Sequence, residues 1–209
     1  QPTKAPRGCP RVLLIGGPGS GAAALAAAMS QRFGAKLVNA TELLQAAALS
    51  GGAAGLKAKP FLEAGVPEDV PDDVTLPMVL QRLEAEDVRT VGFVMVGCPN
   101  TAQQLAALKK KGVWFRHVIH LEQTQEEAKR AVCDTRFDPV DGSVYHPDGV
   151  WPEDLEVAAR LVAHPHQQPA MFNRAYKKWL AAEPQLKKNL VADAEMIVED
   201  ATTPVGELV

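Results

Sequence analysis

RVLLIGGPGSGAAALAAAMS, residues 11–30, decides the fold. Arg11 to Ile15 is a short aliphatic run ending in glycines, the pattern of a parallel strand buried on both faces. Gly-Pro-Gly-Ser-Gly is a turn. The alanine-rich stretch behind it is strong helix, because alanine loses no side-chain entropy there. Gly16 and Gly21 give the Gly-x-x-x-x-Gly spacing of a phosphate-binding loop, with Gly19 between them. Such a loop curls so that backbone N–H groups face a phosphate, and the helix N-terminus adds partial positive charge. A tight turn kept for packing has the same spacing. Two polar groups of the loop are missing. Ala22 stands where a lysine reaches the phosphates, and Ala23 and Ala24 stand where a hydroxyl holds magnesium.

Outward from this stretch, strand and helix patterns alternate. KLVNA reads as strand and TELLQAAAL as helix, capped by Asn39 or Thr41. A short helix over GLKAKPFLEAGVP and a helix opening on Asp72-Asp73 follow. TVGFVMVG (90–97) and WFRHVIHLE are further strands, each followed by a helix. RFDPVDGSVYHPDG carries Asp-Pro and Asp-Gly and reads as an irregular hairpin flap. Helices are expected near 153–163 and 169–182, then a last strand at AEMIVED. The order implies an α/β fold with a mainly parallel sheet.

The 209 residues are 46% hydrophobic and carry a formal net charge of −3. That suits one domain with a full core and offers no overall basic surface for nucleic acid or anionic membrane. No apolar run approaches the roughly 20 residues of a membrane span. Cys9, Cys98 and Cys133 have no C-x-x-C spacing, so neither a disulfide framework nor a zinc motif is expected. A reducing compartment is the default. Residues 1–10 lack a signal-peptide pattern and a starting methionine; they read as a Pro-rich linker into a segment of a longer chain. His117 and His120 fall on opposite faces of a strand, poorly placed to share a metal. Zinc is not expected at His146, His164, His166 and Cys133 either. Tyr145 and His146 should hold the hairpin together. Phe172, Tyr176 and Trp179 share one helical face, as a core stripe or as an aromatic patch for a partner.

Four segments in order resemble the adenylate kinase (nucleoside monophosphate kinase) family: GGPGSG with its long helix, KLVNATELLQ, GFVMVGCPNTAQQLAAL and TRFDPVDGSVYH. The C-terminal third matches more loosely. The resemblance implies a P-loop kinase-type, mainly parallel sheet flanked by helices over residues 11–209. It also implies a nucleoside-monophosphate-side insertion near 39–75 and a lid near 131–168. Carried over by position, the phosphate lysine falls at Ala22 and the two monophosphate arginines at Gln45 and Asn100. The magnesium-organising aspartate falls at Val96. Two lid arginines fall at Ala131 and Thr135, while Arg136 remains; a further one falls at His164. The last falls at Ala175, or at Arg174 with a one-residue shift.

Phosphoryl transfer needs positioning and positive charge around the moving phosphate. A frame kept without those cations implies no catalytic residues and no cofactor. It implies a structural or docking module for other protein chains or neighbouring domains. A weak nucleotide site would use Gly16, Gly19, Ser20, Gly21, Arg136 and Arg174. ATP and magnesium enter only under the alternative of a nucleotide sensor or weakly active kinase. Degenerate domains of the family occur in large proteins, including those of ciliary axonemes. The expected setting is therefore the cytoplasm, with the axoneme as one such place.

Overall fold

Leu13 and Ile15 point to one side of the first strand, Val12 and Leu14 to the other, and all four are buried. A strand alternates its side chains, so burial of both sets requires cover on both faces. The computed structural model describes residues 8–163 and 167–208 and supplies that cover. Strand β1 (Arg11–Gly16) leads into α1 (Ala22–Phe33), then β2 (Lys36–Asn39). Helices α2 (Ala40–Ser50) and α3 (Ala53–Glu63), a 3-10 turn (Pro67–Asp69), α4 (Asp72–Glu84) and α5 (Glu86–Val91) precede β3 (Phe93–Val96). Next come α6 (Ala102–Lys110), β4 (His117–Glu122) and α7 (Gln125–Cys133). Three short elements form a lid: β5 (Arg136–Phe137), β6 (Val144–Tyr145), then β7 (Val162–Ala163) after α8 (Leu155–Arg160). Helix α9 (Pro169–Val191), strand β8 (Glu195–Asp200) and α10 (Val205–Leu208) end the described chain.

The main sheet is parallel, in the order β2-β3-β1-β4-β8. This is the α/β, P-loop kinase-type sheet that the sequence implies. Leu13, Ile15, Val38, Met95 and Val118 face a core completed by Leu105, Leu108, Leu186 and Leu190 from α6 and α9. Val12, Leu14, Val94 and Val96 face the other side, where Leu25, Ala26 and Met29 of α1 pack. Each fully buried leucine contributes about 1.5–3 kcal/mol.

Several boundaries differ from the sequence reading. The strand expected from Thr90 begins at Phe93, because Thr90 and Val91 close α5 and Gly92 turns the chain at φ +87°. The strand expected from Trp114 begins at His117. Asn39, not Thr41, caps α2: its Oδ1 accepts from Thr41 N at 3.1 Å. The flap is a three-stranded antiparallel sheet, its third strand taken from the end of the region read as a helix near 153–163. Helix α9 runs on past Pro184 to Val191, whereas the sequence reading ended it near residue 182. Proline removes one helical hydrogen bond, but Leu186 and Leu190 beyond it are 0% and 1% exposed and anchor the continuation. Phe172 and Tyr176 are buried and Trp179 packs against the core, so that face is a core stripe.

Leu186→Ala is expected to lower the unfolding free energy by about 2–5 kcal/mol in urea titration, with an unchanged m-value. Exposed Leu180→Ala, four residues from Pro184 on the same helix, should change it by less than about 0.5 kcal/mol.

Candidate functional site

The carboxyl ends of β1 and β3 open into a cleft of about 580 Å³. Open parallel sheets place their ligand crevices at such strand ends. Gly16, Gly17, Gly19, Ser20 and Gly21 form one wall, and α1 begins at its floor. Gly19 and Gly21 take φ +85° and +71°, left-handed values that suit glycine. No side chain caps α1, and Gly21, Ala22 and Ala23 at its start line the cleft.

The glycines also admit close neighbours. A Cβ on Gly17 would lie 3.0 Å from Cδ1 of Trp179. One on Gly19 would lie 2.6 Å from the carbonyl oxygen of Ala128 on α7. Gln123 Nε2 donates to Pro18 O at 3.1 Å. The start of α7 is fixed by a capping box, in which Thr124 N donates to Glu127 Oε2 at 2.8 Å. Both readings of the loop therefore hold in its geometry: curled as a phosphate loop, and packed under two helices.

A strand–glycine loop–helix cradle at the end of a parallel sheet, with a small antiparallel lid, narrows the families to compare. The sequence matches the family model described as adenylate kinase over residues 14–181. The chain belongs to the adenylate kinase family. The match runs beyond the four segments that carry the resemblance and takes in most of α9.

The structure gathers four of the positions to which the family resemblance assigns charge. Ala22, Gln45, Val96 and Asn100 all line the cleft beside Gly16, Gly19, Ser20 and Gly21. Ala22 and Val96 are buried in the apolar core behind the loop. Neither Val96 nor Ala23 and Ala24 offers a side-chain oxygen to a magnesium ion, so the side chains at these positions do not fit one. Asn100 turns inward: its Nδ2 donates to Gly97 O at 2.8 Å and its N–H to Gln104 Oε1 at 2.7 Å. Gln104 Nε2 in turn donates to Asp72 at 2.7 Å, tying β3 to α4.

Ala131, Thr135 and Arg136 lie outside the cleft wall. Thr135 Oγ1 donates to Ala131 O at 2.9 Å, so the two replaced lid positions share one hydrogen bond. Arg136 points Nη1 at Cys133 O and Thr135 O, at 2.9 and 3.0 Å. Ala175 lines the cleft, while Arg174 pairs with Asp69. His164 and His166 lie outside the described residues. Among those described, no three His, Cys, Asp or Glu residues gather around a point that could hold a metal ion. His146 organises the hairpin: Nδ1 accepts from Asp148 N at 3.1 Å.

Sequence reasoning missed the cleft's ionic closure. Lys178, the one Lys or Arg among the described lining residues, bonds Asp69 at 2.7 Å and Glu68 O at 2.5 Å. Arg174 meets the other oxygen of Asp69. Burial raises the Asp69 pKa, but hydrogen bonds from Lys178 and Arg174 outweigh it and leave the carboxyl below its ordinary range. Partners more than a hundred residues apart leave no local pattern. The capping box at Thr124–Glu127, by contrast, was legible as Thr-x-x-Glu.

Behind Trp179 lies His120, 3% exposed, its ring 6.3 Å from the indole. Glu122 Oε1 is 3.2 Å from its Nδ1, yet Nδ1 has no aligned hydrogen bond among the described residues. Burial lowers the His120 pKa and Lys187 lowers it further, against the opposing pull of Glu122 and Glu183. Cys98, also buried, has its thiol pushed up to about 12 and is inert at neutral pH.

Two outcomes are expected. The unfolded chain takes up a proton at His120 near pH ~6.5, whereas the folded chain does so only lower. The stability tied to this ring is full above that pH and falls as pH drops through it. His120→Gln should flatten this part of the stability–pH curve between about pH 7 and 5. Asp69→Asn should speed amide exchange in residues 67–84, the segment that Arg174 and Lys178 hold, with the main sheet unchanged.

Proposed function

We propose that this domain keeps the adenylate kinase frame without transferring phosphoryl groups. It serves as a structural or docking module for other protein chains or for neighbouring domains of a longer polypeptide. A large cytoplasmic assembly such as a ciliary axoneme is a fitting setting. One observation carries the reading: the cations nearest the cleft and in the lid are engaged within the chain. Asp69 takes up Lys178 and Arg174, Arg136 is spent on backbone carbonyls, and uncharged side chains fill Ala22, Gln45, Val96 and Asn100.

Magnitudes favour this over slow catalysis by a weakened site. A single arginine at a transferring phosphate is worth about 10³–10⁵ in rate, against typical kinase turnover of about 1–100 per second. Several such groups are replaced at once. The effects do not multiply simply, since groups that act as a unit fail together, but the loss of one already brings turnover towards background.

A second reading has its own support. Gly21 has no neighbour crowding its Cα, and the open start of α1 adjoins it. Backbone donors there suit a phosphate of ATP, ADP or AMP, as in a nucleotide sensor. Calorimetry with the three nucleotides separates the two; no heat at millimolar ligand removes the sensor.

With ATP, AMP and magnesium, ADP production by the purified domain should stay below about 10⁻² per second. Ala22→Lys alone should not raise it to kinase level, because the arginines remain absent. Turnover of about 1–100 per second by the unmodified domain would end the proposal.

A further inference from the structure

The lid carries an apolar surface that the cleft does not use. Val140, Val144, Val150, Trp151, Leu155 and Val162 are 42–83% exposed, all within one short insertion. Three-stranded pairing orders part of this surface. Phe137 of β5 stands opposite Val144 of β6 and opposite Val162 of β7. Residues directly opposed on antiparallel strands share a face, so Val144, Phe137 and Val162 form one apolar row across the sheet. The row spans about 10 Å, two strand spacings.

The insertion under it is fixed. Asp138 is 0% exposed and accepts from Arg160 Nε at 2.8 Å and from Arg160 Nη2 at 2.5 Å. Val140 N and the turn at Gly142 also bond to Asp138. A row held on such a clasp is a formed surface, not a loose loop.

The insertion that carries the row is acidic. Between Arg136 and Arg160 there is no Lys or Arg, while Asp141, Asp148, Glu153, Asp154 and Glu156 are all exposed, and Arg160 itself is paired with Asp138. An apolar row on an acidic insertion is complementary to a partner that is apolar along one stripe and basic beside it. Strand addition is disfavoured, because β6 and β7 offer only two residues each. A helix about 10 Å across matches the width of the row.

We propose that this lid face docks a basic amphipathic helix of a partner protein. The proposal rests on the docking reading above and names its surface. Val144, Val162 and Trp151 take the helix's apolar stripe, and Asp148 and Glu153 meet its lysines or arginines.

The test uses the whole 209-residue chain and a leucine–lysine peptide that folds as an amphipathic helix. A leucine–glutamate peptide of the same pattern is the control. The basic peptide should bind, more weakly at high salt, and the acidic one should not. Val144→Thr with Val162→Thr keeps the β-branched shape and should weaken binding by about tenfold or more. Asp148→Asn with Glu153→Gln should weaken it and reduce the salt dependence. Equal binding of both peptides, binding unmoved by either pair of substitutions, or no binding overturns the proposal. So does a dimer in sedimentation that Val144→Thr with Val162→Thr dissolves, because the occupant is then a second copy. Turnover on the same preparation is scored separately. Kinase-level turnover with intact peptide binding sinks only the proposed lack of catalysis, and no turnover with no peptide binding sinks only the lid.

Discussion

Burial of β1 on both faces is the constraint on which the rest of the molecule depends. Val12 and Leu14 need α1, and Leu13 and Ile15 need α6 and α9. Once both layers are in place, the chain leaving Ile15 must turn sharply to start α1 beside its own strand. The glycines at 16, 17, 19 and 21 make that turn possible, and the cleft is the space left above it. The site is thus a by-product of the core. Its shape can persist for as long as the apolar frame does, whatever happens to the charges around it.

On the proposed reading, that separation lets the family frame persist without its ionic equipment. Ala22 and Val96 add to the apolar layer behind the loop. Asn100, Gln104 and Asp72 form a chain of hydrogen bonds that joins β3 to α4. Where cations remain, carboxylates or carbonyls of the same chain meet them. Asp69 meets two cations of α9 at once, Arg174 and Lys178.

Much of this was legible in the sequence, for physical reasons. Buried parallel strands are continuous apolar runs, so VLLI, FVMV and VIHL announce themselves. Helix α1 is alanine-rich, and the hairpin has Asp-Gly. The two-residue strand β7 was not legible, because two residues carry no period. The second half of α9 was obscured by Pro184, although Leu186 and Leu190 stand four apart and signal a helix face. For the site, the glycine wall and Ala22 could be placed from spacing, and Gln45, Val96 and Asn100 from the family resemblance. The grip of Asp69 on α9, and the seat of Trp179 on Gly17, join distant parts of the chain and show only once it is folded.

Helix α9 has a consequence of its own. Its 23 residues make a rod of about 34 Å. Phe172 and Tyr176 fasten it to α7, Arg174 and Lys178 to the 3-10 turn, Trp179 to the glycine loop, and Leu186 and Leu190 to the main sheet. Four moorings brace it from the lid end to the last strand, so the rod can tilt or slide only when several of them give way together.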